Sequence, residues 1–361
     1  MTTPQLVHRP AAGHAARGRQ AGRLLLTAAV LAVVFAGVLP RMADYGAAWS
    51  LVRALTWGET LAVGVAAVVN LFSYAPLWRA ALPGLRLWRA VLVDLASTAI
   101  AYTVPVGVAF GVGTTATMFH SFGIPGGGIA RAVTLTGVWN NLVKLATPAA
   151  ALAGLALVSD PTPALAAAAA LGSGLLVLAV GLLLLALTSR RAAAALAGAA
   201  ERIAGPVLRR VGRPAPSGWM ARSEAFRAES LEVVRDRWPH LTAAAVFSHA
   251  ALFALLLVCL RTVDGQSADV SWLAVLAVFS VTRLVTAVPI TPGALGVAEL
   301  SYVAGLTAIG VDGAAAAGTV LVFRLLTWLL PIPLGASAWL LWRRGLGRVS
   351  PRPGAPVGGR A

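Results

Sequence analysis

The stretch Val288-Pro289-Ile290-Thr291-Pro292-Gly293-Ala294-Leu295-Gly296-Val297-Ala298-Glu299 lies between two apolar segments and reads P-x-x-P-G-x-x-G-x-x-E. Two prolines and two glycines cannot continue a regular helix. In hydrocarbon, every freed backbone amide or carbonyl must be satisfied by protein or trapped water. Broken backbone at membrane depth therefore belongs inside protein or along a cavity. The carboxylate closing the stretch is costly there and marks a functional position unless it faces water at an interfacial turn.

The segments around this break set the class. Hydrophobic residues fill 58% of 361 positions and charged residues only 12%, and the charges are segregated. Apolar runs of spanning length occur at Leu24–Pro40, Leu61–Trp78, Leu165–Leu187, Leu241–Leu260 and Trp272–Val288. The expected fold is all-α: a polytopic helical membrane protein with about eight full transmembrane helices and two short or re-entrant half-helices. The expected organisation is a tail at 1–22, a transmembrane domain at 23–345 with a loop at 190–240, and a second tail at 346–361.

The net charge of +16 follows the positive-inside rule and is no nucleic-acid signal. Twenty-two arginines fall in the N-terminal tail, residues 79–89, the 190–237 loop and the C-terminal tail, whereas the opposite connections hold only Arg41, Arg53 and Arg261. Both termini and the long loop are expected to be cytoplasmic, in a plasma-membrane protein. The retained apolar run at Leu24–Pro40 is expected to be a first helix, not a cleaved signal. Within the loop, Trp219–Trp238 is expected to form an interfacial helix, and Leu82–Leu92 a second one. Cys259 is the single cysteine, and the five histidines show no metal-ligand spacing, so no disulfide, metal or other cofactor is expected.

Two segments are too short or too irregular to span. Residues 298–311 reach only about 21 Å, and 108–124 carry three glycines and four hydroxyl residues before Pro125-Gly126-Gly127-Gly128. The two regions also correspond. Val104-Pro105 matches Val288-Pro289, Gly111-Val112 matches Gly296-Val297, Gly126 matches Gly313, Trp139-Asn140 falls opposite Phe323-Arg324, and Pro148 falls opposite Pro331. The charge pattern puts Pro105 toward the outer side and Pro289 toward the inner side. That makes an inverted repeat, which brings paired breaks together beside a central cavity.

Charges at membrane depth are few: Asp94, Arg131, Lys144, Arg283, Glu299 and Arg324. Lys144 is the only lysine and follows Asn140 and Asn141. A guanidinium fits a phosphate, and helix N-termini freed by breaks add amide donors. The expected binding residues are Glu299, Arg324 and Arg283, the break residues Pro289, Pro292, Gly293 and Gly296, and Lys144 and Asn140. In this arrangement Glu299 could meet an ammonium. The alternative is a Glu299 pair with Arg324 or Arg283 that only locks helices together. Lone His120, His240 and His249 suggest no site, and no enzyme signature is present, so no catalytic activity is expected.

Pro289 to Glu299 is similar to the P-x-x-P-G-G-x-G-x-x-E signature of the transmembrane region of lysylphosphatidylglycerol synthases, a flippase-like family, with Ala294 where the second glycine is usual. Asn70-x-x-Ser73-Tyr74-x-Pro76-Leu77-Trp78-Arg79 resembles an early segment of that family. Pro105–Gly111 lacks the arginine and glutamate often found there. The resemblance covers about residues 20–345 and implies a lipid-translocating part without the soluble aminoacyl-transfer domain of the full-length synthases. The partners it implies are membrane lipids with anionic or aminoacylated phospholipid headgroups, and no nucleic acid. Two other classes fit: a scaffold for an envelope-biosynthesis enzyme, and a small-molecule secondary transporter.

Overall fold

Breaks and caps divide the chain into helices that fall into two matching sets. The computed structural model describes residues 50, 53–104, 107–158, 163–191, 195, 198, 202, 219–263, 270–287 and 291–345. The expectations for Leu24–Pro40, the two tails, Pro105 and Pro289 fall outside these residues. The helices are α1 (Trp57–Phe72), α2 (Ala75–Ala81), α3 (Leu87–Thr103), α4 (Gly107–Ser121), α5 (Gly126–Val158), α6 (Pro163–Thr188), α7 (Trp219–Val263), α8 (Trp272–Val285), α9 (Val297–Ala308), α10 (Gly313–Arg324) and α11 (Pro331–Arg343). A 3-10 turn at Pro292–Ala294 precedes α9, and a π-turn at Leu325–Leu329 joins α10 to α11. No strand occurs among the described residues. The stretches Trp57–Ala81, Gly126–Val158, Glu224–Val263 and Gly313–Arg343 are long and apolar enough to cross a membrane. This is a helical membrane protein.

The shorter helices pair into two hairpins. On α4, a Cβ on Gly107 would collide with the Ala101 carbonyl, and one on Gly111 would lie 3.0 Å from the Ser97 carbonyl. As the position on α4 rises, its partner on α3 falls, so the two helices run antiparallel. In the second hairpin Gly305 of α9 packs on Val278 of α8, where an added Cβ would lie 2.5 Å from a valine methyl. Glycine makes both approaches because it has no side chain to hold the backbones apart. At about 1.5 Å per residue the 14 residues of α8 and the 12 of α9 each reach only about 20 Å, so neither helix alone is long enough to cross the hydrocarbon.

The two hairpins enter from opposite ends. The base of α3–α4 belongs to a core of Ala75, Leu77, Trp78, Ala80, Ala81, Leu82, Leu85, Val93, Met118, Phe119, Phe122, Leu135, Leu241 and Trp342. The base of α8–α9 belongs to a second core of Val63, Ala67, Leu255, Cys259, Val263, Val275, Leu306, Val311 and Ala316. Their tips meet, because Tyr102 lies against Gly293. The sequence pairing of the two breaks expected them to come together beside a cavity, and the residues flanking them do meet and line one. The partners match as well: α3 packs along α11, and its counterpart α8 packs along α5.

One end of the bundle gathers the arginines. Arg131 pairs with Glu229 at 2.7 Å, Arg190 with Glu224 at 3.2 Å, Arg227 donates to the Leu187 carbonyl, and Arg237 to that of Arg79. The Arg89 guanidinium stacks on Phe122 at 5.0 Å, and the Trp342 indole N–H donates to Ser121. These contacts join helices within one end and add little stability where exposed. Two expectations change here. Trp219–Trp238 is no separate interfacial helix, because α7 continues through Pro239 for 45 residues, about 68 Å, and so projects beyond the hydrocarbon. Leu82–Leu92 is no second one, since α2 ends at Ala81 and α3 starts at Leu87.

Candidate functional site

Three side chains tie the break at Thr291–Gly296. The Thr291 hydroxyl donates to the Leu295 carbonyl at 2.7 Å and closes the turn. Arg324 Nη2 donates to the Gly293 carbonyl at 2.9 Å. One oxygen of Glu299 accepts from the Gly296 N–H at 2.6 Å, capping α9, and the other accepts from Arg324 Nε at 2.5 Å. The motif thus resolves into jobs. Glycine at 293 and 296 supplies left-handed backbone (φ 59° and 81°), and Glu299 joins the freed helix end to a cation on another helix. A Cβ on Gly293 would also strike the Trp328 ring. Ala294 shares the left-handed conformation at φ 56°. That conformation costs alanine about 1 kcal/mol and glycine almost nothing, which explains why glycine suits this position.

Between the two cores lies a polar cavity of about 670 Å³. Most helices contribute to its wall: Asn70 and Tyr74 from the first spanning stretch, Asp94 and Tyr102 from α3, Thr115 from α4, Thr136, Asn140 and Lys144 from α5, and His249 from α7. Arg283, Thr286, Gly293, Tyr302 and Arg324 complete the wall. The lining residues that are exposed are Val108, Val112, Asn141 and Ala287. Among the described residues they mark a side opening at mid-depth with a largely apolar rim.

The charges in this cavity are unequally matched. Arg324 is neutralised by Glu299, with side chains only 15% and 9% exposed. Lys144 and Arg283 form no ion pair among the described residues, and Arg283 Nε is buried without a hydrogen-bond partner. They lie within electrostatic reach of each other and of His249. Two cations held close together at membrane depth and forming no ion pair among the described residues are costly unless an anionic ligand or water compensates them.

Of the residues expected to bind, Arg324, Arg283, Lys144, Asn140 and Gly293 line the cavity. Gly296 and Pro292 shape the turn below it, and Pro289 lies outside the described residues. Glu299 is placed differently from the ammonium-binding expectation: it is off the cavity wall, behind Arg324, with both oxygens engaged. The helix-locking alternative describes its position. Sequence reasoning passed over Asp94, Tyr74, Trp78, Thr136 and His249 as binding residues, although all of them line the cavity. Asn70 to Trp78 belong to the early segment that carried the family resemblance, which was the available signal.

The break, the cap and the arginine across from it are what the P-x-x-P-G-x-x-G-x-x-E pattern encodes. The sequence pattern of the Lysylphosphatidylglycerol synthase TM region matches residues 20–335. The chain belongs to this family. None of the curated proteins matches it. The match spans both hairpins and every helix that lines the cavity, so this lipid-related family and the central site share one segment of chain.

Proposed function

We propose that this member of the Lysylphosphatidylglycerol synthase TM region family moves phospholipids between the leaflets of the plasma membrane. The observation that carries the reading is the cavity in which Lys144 and Arg283 form no ion pair among the described residues, with a side opening rimmed by Val108, Val112, Asn141 and Ala287. Its volume falls in the range of ligand pockets, about 300–1,000 Å³. A headgroup phosphate supplies the missing anion for Arg283 and Lys144, while the acyl chains stay in the bilayer through the side opening. A solute would not need that opening. The cycle is one of binding and movement and breaks no covalent bond.

The test is leaflet exchange of tail-labelled phosphatidylglycerol in proteoliposomes, read by quenching from outside. Wild type is expected to accelerate exchange. Arg283→Gln is expected to slow it at least tenfold, the order of one lost charge-assisted contact. Because Arg283 forms no ion pair among the described residues, this variant should melt at the wild-type temperature or above it. No exchange by folded wild type would end the reading and favour a scaffold role.

The arginine-rich end faces the cytoplasm in this proposal. Cys259 is buried, so single introduced cysteines report cleanly. Ala195→Cys is expected to react with an impermeant maleimide only after permeabilisation, and Val158→Cys in intact cells. Labelling of Ala195→Cys from outside intact cells would invert the orientation.

A further inference from the structure

His249 stands on the cavity wall, on α7, and is only 6% exposed. Its Nδ1 lies 3.1 Å from the carbonyl of Ala245, one turn earlier on the same helix. A carbonyl can only accept, so Nδ1 carries a hydrogen and donates it. In the neutral ring that leaves Nε2 with a lone pair and no hydrogen. Nε2 is buried and has no hydrogen-bond partner among the described residues. The helix thus holds the imidazole in one tautomer and leaves its basic atom unused. Lys144 and Arg283 suffice to hold a phosphate, and His249 has no part in that.

On the helices packed against α7, the charged groups of the cavity wall are Lys144 on α5, Arg283 on α8 and Arg324 on α10. Lys144 and Arg283 act on the His249 ring, whereas Arg324 is neutralised by Glu299. Helices α1, α2 and α6 bring no charged group to the wall, and Tyr74, between α1 and α2, is the titratable group there. The remaining titratable groups of the wall are Asp94 and Tyr102 on α3 and Tyr302 on α9. Arginine keeps its charge in proteins, so Arg283 is a fixed cation, whereas an imidazole gains or loses its charge near neutral pH. A phosphate held by Lys144 and Arg283 offsets their repulsion of a proton on Nε2 and offers that proton an acceptor oxygen. Proton and phosphate therefore favour each other's binding by equal factors.

We infer that His249 Nε2 takes up one proton when the cavity takes up its phosphate and gives it back when the phosphate leaves, so that an anionic phospholipid and a proton cross in the same direction. The inference rests on the proposed lipid movement and adds its driving force. The proton comes from water on the loading side, sits on the Nε2 lone pair and returns to water on the other side. The negative charge of the lipid and the charge of the proton cancel, so the membrane potential does not drive the step. A pH gradient does: lipid loads from the acidic side and is released to the alkaline side.

The test places tail-labelled phosphatidylglycerol, a minor component of phosphatidylcholine proteoliposomes, in the outer leaflet, with the outside more acidic by about one pH unit. Wild type is expected to draw the label inward until the inner leaflet holds about tenfold more, the ratio that one proton per lipid gives. A protonophore should return the label to equal leaflets. His249→Gln keeps a donor for the Ala245 carbonyl but has no basic atom, and it is expected to bring the label only to equal leaflets. The final distribution is the readout, so a slowed variant still reports. A measurement on wild type alone guards against a variant that fails to fold. Glycerophosphoglycerol, a phosphodiester with no titrating proton near neutral pH, should draw about one proton per protein from weakly buffered solution as it binds the detergent-solubilised protein. Equal leaflets in wild type under the gradient, or binding without proton uptake, overturns the coupling and leaves lipid movement standing. Tenfold accumulation by His249→Gln overturns His249 as the carrier of the proton. No exchange by folded wild type overturns both readings.

Discussion

Glu299→Ala is expected to destabilise the protein by about 3 kcal/mol, the low end of the range for breaking a buried pair. The substitution strands the Arg324 guanidinium, uncaps α9 at Gly296 and removes the link between two helices. The low end applies because Arg324 borders the cavity, where water can solvate part of the charge. The double variant Glu299→Met with Arg324→Met is expected to recover most of the loss, since apolar residues of similar volume often replace a buried pair without penalty. Thermal unfolding in detergent measures both. A double variant no more stable than Glu299→Ala alone would show that the pair does more than neutralise its own charges.

Gly335→Leu is expected to abolish the folded protein. A Cβ on Gly335 would overlap the Leu95 carbonyl oxygen and sit 2.5 Å from the Ala99 Cβ, and neither atom belongs to a flexible chain end. The smaller Gly335→Ala should cost about 1–3 kcal/mol as α3 and α11 are pushed apart. The control is Gly174→Ala on α6, where nothing lies within 4 Å of an added Cβ. There alanine should be neutral or slightly stabilising through helix propensity. Yields of folded protein by size-exclusion chromatography separate the three variants. Equal yields would mean that the α3–α11 contact is looser than the structure has it.

What could be read in the sequence was whatever leaves a chemical mark within a short window. The break at Pro292–Gly296, the shortness of 298–311 and the charges at Lys144, Arg283 and Arg324 are of that kind. The repeat was legible through Gly126 with Gly313 and Pro148 with Pro331, although Pro148 lies within a continuous α5 and Pro331 follows a π-turn. Asp94 was harder, because it lies on an unbroken helix and its surroundings come from three other parts of the chain. The role of Glu299 was open for the same reason. Whether a carboxylate meets a ligand or a partner depends on a contact with a residue 25 positions away. The paths of the hairpins were also hidden, since a helix of about 15 residues can end anywhere until its partner is known.

The π-turn at Leu325–Leu329 has a consequence for angular phase. It follows directly on Arg324, whose side chain faces the cavity, and comes before Gly335, which must face α3. In an uninterrupted α-helix each residue advances the face by about 100°, so these two orientations would be set by their separation alone. The wider turn resets the dial between them. Arg324 and Gly335 can each point where they are needed only because the helix is wound in two segments with different starting angles. Removing a single residue from the turn would barely shorten the helix, yet it would rotate one contact out of alignment with the other.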